Sequence, residues 1–249
     1  MKAIGLIPAR FGSTRFPGKP LELINGKALL TWVIEGARTS KLLSEIAVAT
    51  DDERIAELAR KSGVKALMTE SELPTGTDRI YQAALQIAGL GDDDVVVNIQ
   101  GDEPLIEGAL LDQLVQPFLE DASLEMATLG RPLDLESLNS PNTAKIVMNA
   151  RGEAMYFSRL PIPYTRNAAA LPIEAALKHI GIYAYRKKFL RAFCAQAPTA
   201  VEQAESLEQL RALYLGARIK VVKTDHESWG VDHPEDIQKI ERMMRERTK

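Results

Sequence analysis

Within the first hundred residues, four short apolar runs alternate with segments of helical period, and that alternation leaves few folds open to the chain. The runs at 3–7, 45–50, 65–69 and 94–100 have the length and composition of buried strands. Between them, 28–40, 52–62 and 75–90 place apolar side chains at helical spacing, as Ile55, Leu58 and Ala59 do. Consecutive strands joined by helices cannot pair as tight hairpins, so a mostly parallel sheet flanked by helices is predicted, an α/β fold. Such sheets take their ligands beyond the carboxyl ends of the strands, where helix N-termini offer unpaired N–H groups. Motifs that directly follow a strand therefore weigh most.

The rhythm changes near residue 125. Strands are predicted at 125–131, 145–149 and 154–158, with Asn149-Ala150-Arg151-Gly152 as a hairpin turn. This suggests an inserted antiparallel region over about 125–185 inside a single domain spanning 1–249. Pro161, Pro163 and Pro172 mark 160–172 as a loop. A strand at 179–185, helices at 187–196 and 201–215, and a strand at 218–224 follow. A final helix is predicted from Pro234, with Glu235 and Asp236 in its first turn and Arg245 and Arg247 near its end, as the helix dipole favours.

Composition removes several classes of function. A net charge of −3, from 31 basic and 34 acidic residues spread along the chain, gives no footprint for nucleic acid. Cys194 is the only cysteine, which excludes an internal disulfide and argues against a thiolate zinc site. The opening apolar stretch is interrupted at Pro8 and Arg10, too early for a signal peptide or membrane span, so no membrane insertion and a cytoplasmic location are expected.

The segment Pro8-Ala9-Arg10-Phe11-Gly12-Ser13-Thr14-Arg15-Phe16-Pro17-Gly18-Lys19-Pro20 directly follows the first strand. Its glycines let backbone N–H groups approach phosphate oxygens, and Arg10, Arg15 and Lys19 can neutralise a triphosphate; the plain alternative is a solvated basic turn. It is not a Walker loop, because Pro20 stands where that motif needs Ser or Thr after the lysine. At the fourth strand's end, Gly101 permits a turn that aims Asp102 at the same region, as a magnesium anchor or as an ordinary strand-end residue. Asp232, in Gly230-Val231-Asp232-His233-Pro234, is either a second metal carboxylate or a cap on the last helix. Thr50, Asp51 and the stretch Thr75-Gly76-Thr77-Asp78-Arg79 sit at a strand end and a helix start, where small polar ligands or simple capping are both served. His179 and Tyr183 read equally as core residues, and Glu208 and Gln209 as a solvated helix face.

With these motifs in this order, joined by the blocks at 48–55, 96–106, 155–159, 178–187, 207–211 and 230–237, the chain resembles the nucleotide-sugar cytidylyltransferases over essentially its whole length. The resemblance is nearest to the branch acting on the eight-carbon acid sugar 3-deoxy-D-manno-octulosonate (Kdo). It implies a Rossmann-like nucleotidyltransferase fold, usually a homodimer, that transfers CMP from CTP to the anomeric hydroxyl of Kdo with release of pyrophosphate. It further implies a place in lipopolysaccharide biosynthesis.

The same resemblance distributes roles. Pro8, Ala9, Arg10, Ser13, Arg15, Lys19, Thr50, Asp51, Gly76, Thr77 and Arg79 fall on CTP-binding positions. Gln100, Arg159, His179, Tyr183, Glu208 and Gln209 fall on sugar-binding positions. Asp102 and Asp232 become the Mg²⁺ ligands and, with Lys19 and Arg10, the catalytic set. Two rivals remain open: the same chemistry on 8-amino-Kdo or a sialic acid, and a non-catalytic nucleotide-binding protein that kept the fold. Sialic-acid enzymes usually carry Lys where Thr14 stands and Asn where Pro20 stands.

Overall fold

Strand β1 (Ala3–Ala9) forms where the first apolar run predicts it and continues through Pro8 to Ala9. In the computed structural model, which describes residues 1–12, 16–166 and 175–247, the chain divides into two compact units. One comprises residues 2–112 and 228–249, the other residue 1 and 113–227.

In the first unit, β1 leads to a single 3-10 turn at Lys19–Leu21 and a two-residue hairpin, β2 (Leu23–Ile24) and β3 (Lys27–Ala28). Asn25 and Gly26 both take positive φ at its tip, the geometry an Asn-Gly hairpin turn requires. Next come α1 (Leu29–Ala37), β4 (Glu45–Thr50), α2 (Glu53–Lys61), β5 (Lys65–Met68), α3 (Gly76–Ala84) and β6 (Val95–Asn98). The strands lie in the order β6-β1-β4-β5 and every pair is parallel. Ile4, Leu6, Ile7, Val48 and Val96 are fully buried, which explains why these strands read as continuous apolar runs. Because β4 flanks β1 on one side and β6 on the other, the connections reverse at β1. The crevice where α/β sheets bind ligands therefore opens beyond Ala9 and Asn98.

Two helices of this unit begin on side-chain caps. Asp52 accepts the N–H of Arg54 at 3.0 Å before α2, and Thr75 accepts that of Asp78 at 3.1 Å before α3. The helix predicted over 75–90 stops at Ala84, because its last turn tightens into bonds from Gln86 to Ala83 and from Ile87 to Ala84. Helix α4 (Gly108–Glu120), which contains Pro117, was not foreseen.

The second unit holds β7 (Met126–Pro132), α5 (Leu135–Asn139), β8 (Lys145–Met148), β9 (Ala154–Ser158), β10 (Ala176–Arg186), α6 (Lys187–Ala195), α7 (Ala200–Glu205), α8 (Leu210–Tyr214) and β11 (Ile219–Lys223). Antiparallel pairing joins β7 to β10, β10 to β8 and β8 to β9, while β11 runs parallel to β7. The predicted antiparallel character and the Asn149 turn are thus present, the turn closed by Gly152 N–H to Asn149 C=O at 3.0 Å. Part of the predicted proline loop, residues 167–172, lies outside the described residues.

One predicted helix is two. The helix expected over 201–215 breaks because Ser206 adopts φ 51°, left-handed backbone that ends α7 and sets residues 206–209 as a corner before α8. The chain returns to the first unit with α9 (Asp236–Arg247), which starts two residues beyond the predicted Pro234 and approaches β2, Glu241 accepting the N–H of Asn25 at 2.8 Å. Among the described residues no helix is long and apolar enough to cross a membrane.

Candidate functional site

At the switch point of the first unit lies a cleft of about 370 Å³. Its walls are the end of β1 (Pro8, Ala9, Arg10), the loop end (Lys19, Pro20), the approach to α3 (Leu73, Pro74, Thr75, Gly76, Arg79) and the turn after β6 (Gln100, Gly101, Asp102). The base of the glycine-rich loop is pinned by Gly18 N–H to Phe11 C=O at 2.9 Å. Gly18 takes φ 74°, which a side chain would strain, and an added Cβ would press against the Phe11 ring. Ser13 and Arg15, expected as CTP contacts, lie outside the described residues.

Gly101 sets how closely the two strand ends approach. A Cβ there would stand 2.7 Å from the carbonyl oxygen of Pro8, so only glycine fits. The turn delivers Asp102, whose Oδ2 receives the Lys19 ammonium at 2.7 Å; the same Nζ donates to the Val231 carbonyl at 2.8 Å. Val231 N–H in turn donates to the Asp102 carbonyl at 2.9 Å, so the segment carrying Asp232 is laced to the segment carrying Asp102. Asp232 itself is exposed, and its N–H is held by the Asp236 carboxylate at 2.9 Å.

This donor set fits a hard divalent cation. Asp102 already holds a cationic group on one carboxylate oxygen, and Mg²⁺ asks for one or two carboxylates, with phosphate and water completing its shell. No group of three or more His, Cys, Asp or Glu suited to a metal occurs among the described residues.

Arg79 is almost fully buried and bonded to Thr69 Oγ1, with Asp51 at 3.5 Å. Burial holds its guanidinium below the ordinary value, Asp51 opposes that and Arg10 adds to it. Arg10, Lys19 and Arg79 thus give the cleft a positive lining suited to a polyphosphate. The structure does not bring every expected CTP contact to this wall. Thr50 and Thr77 are buried, Thr50 accepting the Asp52 N–H, and Asp51 backs Arg79. Gln100, expected with the sugar-binding residues, lines this cleft.

Glu103 was not anticipated. It is buried beside Asp102, accepts a hydrogen bond from the Ser228 hydroxyl, and leaves Oε2 without a partner. Burial pushes its pKa up to about 7, the Ser228 bond working against that and Asp102 with it. Nothing in the local sequence separates this glutamate from an exposed one, since its partner lies 125 residues away.

The second unit has its own cavity, of about 320 Å³, and it gathers the other five expected sugar contacts: Arg159, His179, Tyr183, Glu208 and Gln209. Arg159 is anchored by carbonyls, Nε to Glu205 at 2.8 Å, Nη1 to Pro141 and Nη2 to Ser206 at 3.1 Å. Two of its five N–H groups are left over, and no carboxylate pairs with its guanidinium among the described residues. Beneath it Lys145, fully buried, donates to the carbonyls of Ser140, Thr143 and Arg159. Burial, and then Arg159, depress the Lys145 pKa, while Glu205 acts against them. Tyr183, kept protonated by burial, donates to Gln209 Oε1 at 3.1 Å, and Gln209 Nε2 is buried without a partner. An unsatisfied buried donor beside a cavity is what a polar ligand would complete.

His179 lies between Phe157 and Tyr183, with ring centroids 5.2 and 5.5 Å away. Burial lowers its pKa from 6.5 to about 3. Unfolded chain accepts the proton first, so this contribution to stability is whole above about pH 6.5 and is lost as pH falls towards the folded value. Between pH 7.5 and pH 5, wild type is expected to lose about 2 kcal/mol more stability in urea titrations than His179→Asn. An identical pH dependence for the two would show that the fold does not hold this imidazole neutral.

A parallel sheet with a cationic cleft and an acidic turn at its switch point defines a nucleotidyltransferase-type site, and the comparisons narrow it. The family profile described as Cytidylyltransferase matches residues 4–219, and the chain belongs to that family. Within it, the chain is 55% identical to the 3-deoxy-manno-octulosonate cytidylyltransferase of Bdellovibrio bacteriovorus, across 98% of each chain. It is 48% identical to the enzyme of that name from Nitratidesulfovibrio vulgaris, across 97% of this chain and 96% of that one. It also superposes with a TM-score of 0.92 on a solved CMP:2-keto-3-deoxy-manno-octonic acid synthetase complexed with CTP, 39% identical and covering 99% of this chain and 100% of the other.

Proposed function

We propose that this chain transfers CMP from CTP to the anomeric hydroxyl of Kdo, releasing pyrophosphate. The observation that carries the reading is the meeting of three remote segments at Lys19, whose ammonium bridges the Asp102 carboxylate and the Val231 carbonyl at the mouth of a cationic cleft. The names and the extent of identity of the relatives support Kdo as the acceptor.

The chemistry asks little covalent work of the protein. The anomeric oxygen bonds to the α-phosphorus as the bond to the departing pyrophosphate oxygen breaks, and the hydroxyl proton passes to solvent. Arg10 and Lys19 neutralise charge on the leaving phosphates, and positioning supplies most of the remainder. Asp102 and Asp232 would hold Mg²⁺, which when bound adds charge neutralisation and lowers the pKa of the attacking hydroxyl. In the second cavity, the spare N–H groups of Arg159 suit a carboxylate, and Gln209 and Tyr183 suit hydroxyls. A homodimer is the family expectation, and the exposed apolar side chains of Met155, Tyr156, Leu160 and Tyr164 are available for a second copy to cover.

Pyrophosphate release from CTP, measured with Kdo, 8-amino-Kdo and a sialic acid in separate reactions, tests the proposal. Release with Kdo at the highest kcat/KM is expected. Preference for another acid sugar would replace the acceptor, and release with none of the three would leave a nucleotide-binding role.

A further inference from the structure

The antiparallel pairing of β7 with β10 is interrupted by a bulge between Ile180 and Tyr183, and Thr128 is the β7 residue that faces it. Fully buried, Thr128 places its Oγ1 within 3.2 Å of the Ile180 carbonyl, 3.0 Å of the Ile182 carbonyl and 3.0 Å of His179 Nε2. Two of these three neighbours can only accept. A hydroxyl carries a single proton and two lone pairs, so it can donate to a carbonyl and still receive a hydrogen bond from the imidazole. The reverse arrangement, with Thr128 donating to an unprotonated Nε2, would set both carbonyl oxygens against a hydroxyl lone pair. Two carbonyl oxygens facing a hydroxyl lone pair at 3.2 and 3.0 Å make a repulsive contact that a low-dielectric interior renders costly.

Resting on the reading of this cavity as the acid-sugar site, we propose that Thr128 is a positioning residue that fixes His179 as the neutral Nε2–H tautomer, making Nδ1 a hydrogen-bond acceptor for a hydroxyl of the sugar. His179 lines the cavity, and Nδ1 is the ring nitrogen with no partner among the described residues. Burial holds the ring uncharged, which agrees with this assignment. The subsite therefore divides its labour by polarity. Arg159 and Gln209 present donors, and His179 presents a lone pair that repels a carboxylate and welcomes an O–H. The bulge is what brings the Ile180 and Ile182 carbonyls onto one threonine, so an irregularity in the ladder orients a ligand-facing ring.

Two measurements test this, one without substrate and one with it. The chain has three histidines, His179, His226 and His233. In a long-range ¹H–¹⁵N correlation spectrum of the full-length protein at neutral pH, the signals lost in His179→Asn should show a protonated Nε2 and an unprotonated Nδ1. An Nδ1–H tautomer or an imidazolium there overturns the proposal. In kinetics, Thr128→Val should raise KM for Kdo by roughly tenfold, the worth of about one hydrogen bond, with KM for CTP unchanged. Thr128→Ser, which restores the hydroxyl, should recover most of the loss. Equal KM for Kdo in wild type and Thr128→Val, or no recovery with Ser while the Val variant is impaired, likewise overturns it. The tautomer is read without any sugar present, so a failure of the Kdo assignment and a failure of this one are distinguishable.

Discussion

Asp102→Asn is expected to lower the rate of pyrophosphate release by roughly 10²- to 10³-fold, the scale of losing one preorganised charge at a reacting centre. This carboxylate ends the turn after β6, holds Lys19 at 2.7 Å, and belongs to a residue whose main chain is bonded to Val231. Asparagine keeps the shape and removes the charge. It therefore leaves Lys19 without its charged partner, though still bonded to the Val231 carbonyl, and weakens any divalent cation at the cleft, while the turn stays in place through Gly101 and the backbone bond. The ion pair is partly exposed, so stability should change by less than about 1 kcal/mol. Turnover within a few-fold of wild type, with magnesium dependence intact, would remove Asp102 from the reacting centre.

Arg211→Met is expected to produce the largest loss of stability of any single change discussed, about 3–5 kcal/mol in urea or thermal denaturation. Arg211 is 3% exposed, its Nε 2.9 Å from Glu202 Oε2, with Nη2 on the other carboxylate oxygen and the guanidinium over the Phe193 ring. Glu202 is buried too and closes a capping box with Thr199 at the start of α7. Burial alone would raise its pKa, yet Arg211 and the Thr199 N–H hold it below the ordinary carboxylate range. Removing the arginine leaves an uncompensated charge, whereas Glu202→Gln in the same chain should recover part of the loss. A cost below about 1 kcal/mol would mean that the pair is not what secures α7 to α8. Because Ser206, Glu208 and Gln209 lie between those helices, KM for Kdo should rise as well.

The parallel half of the fold is legible because β1, β4 and β6 are buried on both faces, and a strand in that setting must be apolar throughout. What escaped the sequence has physical causes. The β2–β3 hairpin has strands too short for any period, although Asn25-Gly26 carried the turn signal. The break at Ser206 depends on a left-handed conformation that serine rarely adopts, imposed where the chain turns from α7 to α8. In the site, Arg10, Lys19, Gly76, Arg79 and Asp102 converge on one cleft as their motifs implied. Thr128, Glu103 and Ser228 were invisible, because each acquires its meaning from a contact fifty or more residues distant. Gln100 was assigned by resemblance, and only the turn after β6 shows which cavity it borders.

The near-contact between residue 101 and the Pro8 carbonyl has a further bearing on how such a cleft can evolve or be redesigned. Its floor is main chain on both sides, held at a gap that admits a hydrogen atom and nothing larger. No side chain can be introduced at residue 101 without moving that backbone, so this part of the cleft is a fixed property of the scaffold. If the cleft takes a nucleotide as proposed, variation in what it accepts would be sought in side chains that line it away from this floor, such as Leu73 and Pro74.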